Sequence, residues 1–87
     1  MKSKLFQIQE RETPLVDSQR VFIYELIDLC ANNYIIVFEV YDTYLWLVKL
    51  RHLNNGRRLK LKWDPHYMAL EENGKLLKCY PEGAIPF

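Results

Sequence analysis

Proline and glycine are scarce in this chain, four and three among 87 residues. So few breakers leave room for short turns and exclude long irregular loops. Cysteine is scarce too. Cys30 and Cys79 are too few for a disulfide scaffold. Their apolar neighbours (Leu29 and Ala31; Leu76, Leu77 and Tyr80) predict buried free thiols in a reducing compartment. No apolar run approaches the ~18 residues that span a membrane. The longest, Tyr34 to Phe38 and Tyr44 to Val48, are of strand length. The basic start at Lys2 and Lys4 leads only to Leu5-Phe6, with Gln7, Glu10 and Arg11 close behind, which does not read as a signal peptide. The expectation is a cytoplasmic protein without a membrane partner.

Catalytic and metal signatures are also missing. No His/Cys/Asp/Glu spacing matches a zinc site. There is no glycine-rich phosphate loop, no serine-centred elbow and no paired-carboxylate motif. His52, His66, Arg57 and Arg58 include the residue types that phosphodiester cleavage needs, but their spacing does not bring them together. The sequence therefore reads as a non-enzyme with no cofactor and no metal.

What is present is a core. Hydrophobic residues make up 49% of the chain and aromatic residues 14%, enough to exclude disorder. A chain of this length forms one domain, 1–87, and buries only ~60–65% of its unfolded surface. Lys4 to Gln9 alternates in part and predicts a short strand. Asp17-Ser18 is a candidate N-cap for a helix over Ser18 to Ala31. Phe22, Leu26 and Leu29 share its apolar face, widened by Ile23, Ile27 and Cys30, while Glu25 and Asp28 fall on the polar side. Val21 to Tyr24 favours strand on propensity, but the helical period is sustained to the end of the segment. Asn32-Asn33 suits the helix C-terminus.

After that the chain is β-rich. Strands are expected over Tyr34–Tyr41, Tyr44–Leu53, Leu59–Trp63, His66–Glu71 and Lys75–Tyr80. Asp42-Thr43 reads as a tight turn. Asn55-Gly56 and Asn73-Gly74 read as hairpin turns, and the tail after Tyr80 is irregular. In Tyr34–Tyr41, Ile36, Phe38 and Val40 point one way and Ile35 and Val37 the other. The fold class is α+β: an antiparallel sheet of four to six strands with one N-terminal helix packed on it. A small barrel is the alternative, since this element order is similar to that of Sm-like barrels.

The informative feature is charge placement. The net charge is +1, yet Thr43 to Trp63 carries six Lys/Arg and no Asp or Glu, so it is +6 and the remainder −5. If Asn55 and Gly56 are the central turn residues, Leu50 faces Leu61 and Val48 faces Trp63. Arg51 then faces Lys60, Lys49 faces Lys62, and His52 faces Leu59. A one-residue slip would mix the faces, so the hydrophobic pattern rejects it. The favoured register sets two like-charge pairs directly opposite each other, at a cost of ~0.2–1 kcal/mol each. Neutralisation by Glu39, Glu71 or Glu72, splaying of the lysines into water, or an anionic partner would each offset that cost. Arg57 and Arg58, at the turn, should reach out most freely. Trp46 and Trp63 share the apolar face with Val48, Leu50 and Leu61, so they read as core rather than stacking platforms.

The function expected from this pattern is a small non-enzymatic binding module, an adaptor, inhibitor or antitoxin-like protein, with a mobile element as a candidate source. Its basic hairpin (Lys49, Arg51, Arg57, Arg58, Lys60 and Lys62) meets an acidic protein surface. The alternative is a nucleic-acid-binding domain that sets the same cations on the phosphate backbone. Surplus apolar strand faces also suit a homodimer.

Overall fold

A computed structural model describes residues 14–81. One helix, α1 (Asp17–Ala31), precedes β1 (Tyr34–Tyr41), β2 (Trp46–His52), β3 (Arg58–Asp64), β4 (Tyr67–Glu72) and β5 (Lys75–Tyr80). The strands pair antiparallel in chain order, with β1 and β5 at the edges of an open sheet. This is the α+β architecture expected from the sequence, and among the described residues the barrel alternative does not form. The strand expected over Lys4 to Gln9 and the tail from residue 82 lie outside the described residues.

Burial decides α1. Phe22, Ile23, Leu26 and Leu29 recur at helical spacing and are buried against the sheet, which overrides the strand propensity of Val21 to Tyr24. The buried stripe is narrower than expected, because Ile27 and Cys30 are exposed. The expectation of two buried thiols is therefore wrong for Cys30, and Cys79 is half-buried. The helix begins one residue early. Val16 is the N-cap, and its N–H donates to Gln19 Oε1 at 3.0 Å. Ser18 is thereby left free to bond elsewhere. Its Oγ accepts the Trp63 indole N–H at 2.8 Å and ties α1 to β3.

The inner face of the sheet alternates as the sequence indicates. Trp46, Val48 and Leu50 of β2, Leu59, Leu61 and Trp63 of β3, and Met68 and Leu70 of β4 lie under the helix. Trp46 is the centre. It meets Phe22 edge-on at 5.3 Å, Tyr41 edge-on at 5.9 Å and Trp63 at 5.1 Å between ring centroids.

Three local expectations are corrected. First, β1 carries a bulge. Ile36 pairs with Leu50 but Phe38 pairs with Lys49, so Val37 is the extra residue. An extra residue reverses the alternation beyond it. Glu39 and Tyr41 therefore turn to the helix side, where Tyr41 packs on Trp46, while Phe38 and Val40 turn to the outer face and away from Ile36. Second, β2 begins at Trp46 rather than Tyr44. Asp42 N–H donates to Leu45 O and Asp42 Oδ1 accepts from Thr43 N–H, which makes a wider turn and leaves Tyr44 and Leu45 exposed.

Third, the β2–β3 register is displaced by two residues. Trp46 faces Trp63, Val48 faces Leu61, Lys49 faces Lys60, Leu50 faces Leu59 and Arg51 faces Arg58. The turn is not a two-residue loop at Asn55-Gly56. His52 N–H donates to Arg57 O at 2.8 Å, so residues 53–56 form the loop. Only Gly56 has a left-handed φ there, +72°; Asn55 does not. Side chains select this wider loop. His52 Nδ1 accepts from the Asn54 and Asn55 amides, and Asn55 Oδ1 accepts from the Arg57 amide at 2.8 Å. The mirror-image turn with both φ positive occurs instead at Asn73 (+53°) and Gly74 (+82°), between Glu72 and Lys75.

A candidate anion-binding face

The outer face of the sheet is the one α1 does not cover. Alternation places Lys49 and Arg51 of β2 and Arg58, Lys60 and Lys62 of β3 on it, back to back with the buried Val48, Leu50, Leu59 and Leu61. The β1 bulge adds Phe38 and Val40, and β4 adds Glu71. Five of the six expected site residues thus share one face. Arg57 stands at its margin, in the turn.

The six cations fall into two groups. Arg57 is clamped by Glu72. Its Nε lies 2.6 Å from Oε2, and Nη2 donates to Oε1 at 2.9 Å. That fork raises the affinity of Arg57 for its proton and holds the Glu72 carboxyl below the usual range. Arg57 is therefore not the free-reaching turn cation that the sequence suggested. Lys62 is likewise engaged: its Nζ lies 3.0 Å from Glu71 Oε2 and 5.8 Å from the Tyr67 ring centre. Burial pulls its pKa down, but the Glu71 and Tyr67 contacts outweigh burial and leave it raised. Glu39, the third candidate neutraliser, lies on the other side of the sheet and accepts the Tyr41 hydroxyl at 3.0 Å.

Lys49, Arg51, Arg58 and Lys60 form the second group. None has an ion pair among the described residues. Lys49 Nζ sits 5.6 Å over the Phe38 ring. The four occupy the corners of a square: Lys49 opposite Lys60, Arg51 opposite Arg58. The two like-charge cross-strand pairs remain, with Arg58 in the place expected for Lys62. They line an open groove of about 460 Å³, walled by Val37, by Glu71 and by the Asn73-Gly74 turn.

The groove walls were the part that sequence reasoning missed. In the sequence Glu71 reads only as a neutraliser, and no residue pattern marks the Val37 bulge that brings Phe38 alongside Lys49. The histidines do not join the site. His52 Nδ1 is taken by the turn amides, and its ring meets Tyr34 edge-on at 4.8 Å on the helix side. His66 is exposed beyond β3, in the turn that Asp64 Oδ1 organises. Among the described residues, no group of three or more His, Cys, Asp or Glu is placed to hold a metal ion, and no helix is long and apolar enough to cross a membrane. No protein-family model, curated protein or solved structure matches the chain.

Proposed function

We propose that this protein is a small non-enzymatic binding module whose outer sheet face meets an acidic protein surface. One observation carries the reading: four cations at adjacent positions of two strands, Lys49, Arg51, Arg58 and Lys60, none of them held in an ion pair among the described residues. Glu72 is taken by Arg57, and Glu71, which faces Lys60, is taken by Lys62, so no carboxylate forms an ion pair with the square among the described residues. An acidic partner offsets the repulsion that the free protein carries.

Two features favour a protein over a polynucleotide. Val37, Phe38 and Val40 are exposed beside the cations and provide the apolar area that protein interfaces bury. Glu71 and Glu72 lie among the cations and would repel a continuous phosphate backbone that crossed β3 and β4. A nucleic-acid reading keeps one specific support, the exposed Phe38 ring beside Lys49, on which a single base can stack.

Affinity capture from the source organism at low salt, with and without nuclease, tests the reading. An acidic protein should be retained in both cases. Retention that nuclease abolishes would transfer the site to nucleic acid. Capture of neither would remove the binding reading altogether.

A further inference from the structure

The two cation pairs of the square share a geometry that brings their side chains close. His52 N–H donates to Arg57 O, so residues 52 and 57 are a hydrogen-bonded pair. By alternation Arg51/Arg58 and Lys49/Lys60 are non-hydrogen-bonded pairs. That class brings Cα atoms to about 4.5 Å and side chains closest together. Arg51 and Arg58 therefore root two guanidinium side chains at facing positions that line the same groove, with the lysine pair about 6.7 Å further along the strands.

Two guanidinium groups borne at facing positions select among anions. A carboxylate has one charge and two oxygens, which a single fork satisfies. A phosphate monoester carries about −1.5 to −2 and three free oxygens, so it can accept from both forks at once. The groove has room for such a group and for the residues next to it. Lys49 and Lys60 lie where a neighbouring acidic side chain of an extended segment would fall. Glu71 is held back by Lys62, at 3.0 Å, and does not occupy the arginine pair.

We propose that the groove is a phosphomonoester site, which receives a phosphorylated serine or threonine of the acidic partner between Arg51 and Arg58. This deepens the reading above and rests on it.

Three fluorescent probes test it by anisotropy. One is a Glu/Gly peptide with a central phosphoserine. The second is the same peptide with two aspartates in place of the phosphoserine, matched in charge. The third is a single-stranded oligonucleotide of equal charge. The phosphopeptide should bind at least about tenfold tighter than the charge-matched peptide. The variant R51K/R58K keeps the charge but loses the forks, and it should erase that preference while still binding both peptides. R20Q, on the helix, should leave it intact. Equal affinity for the two peptides would overturn the phosphate site and leave the acidic-surface reading standing. Tightest binding of the oligonucleotide would overturn both in favour of nucleic acid. Binding of no probe would overturn both outright.

Discussion

Trp46→Ala is expected to cost about 3–5 kcal/mol, a large share of the stability of a domain this small. The ring is fully buried and joins all the layers of the core: Phe22 above it, Trp63 beside it and Tyr41 at the edge. Its removal takes away the apolar burial and leaves a cavity that the surrounding rings cannot fill without leaving their rotamers. A chain of this size has a total stability on the order of 4–13 kcal/mol. Each kcal/mol shifts the melting temperature by ~4–8 °C at this length, so the loss is ~12–40 °C. Trp46→Phe should cost much less. It keeps most of the ring, and it removes a buried indole N–H that has no protein acceptor among the described residues. Thermal unfolding followed by circular dichroism reads both. A shift below about 5 °C for Trp46→Ala would show that the core is not centred there.

The faces of the sheet were legible in the sequence; the partners across it were not. Alternation through Trp46 to Leu50 and Leu59 to Trp63 says which side chains lie under the helix, because a one-residue slip reverses every one of them. A two-residue slip reverses none, so hydrophobicity is blind to it. The choice was made by hydrogen bonds from His52 Nδ1 and Asn55 Oδ1 inside the turn, which the Asn-Gly signal does not reveal. The same blindness hid the Val37 bulge, where no glycine marks the extra residue. In α1 the period was clear, yet the width of the buried stripe depends on how the helix sits on the sheet. Ile27 and Cys30 stayed outside it. At the candidate site, the cations and their shared face were legible. Which of them would find an acidic partner was not, because that depends on the β3–β4 register that sets Lys60 opposite Glu71 and Lys62 diagonal to it.

Charge reversal at the centre of the square, Arg51→Glu with Arg58→Glu, is expected to lower affinity for a polyglutamate peptide by more than about 100-fold. Like charges brought together at an interface cost several kcal/mol, and each 1.4 kcal/mol is tenfold. Folding should survive. Both positions lie on the outer face, neither side chain has an ion pair among the described residues, and each new carboxylate would neighbour Lys49 or Lys60. Titration calorimetry against the peptide, with circular dichroism as the folding control, measures the effect. A folded double variant that loses less than about threefold would mean that the peptide is held elsewhere.

Behind the binding proposals stands one physical claim: Lys49, Arg51, Arg58 and Lys60 repel one another in the free protein because none of them is held in an ion pair among the described residues. Urea unfolding of the wild type and of Arg58→Gln with Lys60→Gln tests this without any ligand, at about 0.01 M and about 1 M salt, where the screening length falls from ~30 Å to ~3 Å. The substitutions remove one member of each opposed pair. Repulsion within the square makes the double variant more stable than the wild type at low salt, by about 0.4–2 kcal/mol for two pairs, and the advantage vanishes at high salt. A variant that is less stable at low salt, with a deficit that shrinks as salt is added, would show that the square is already neutralised within the chain and would contradict the claim.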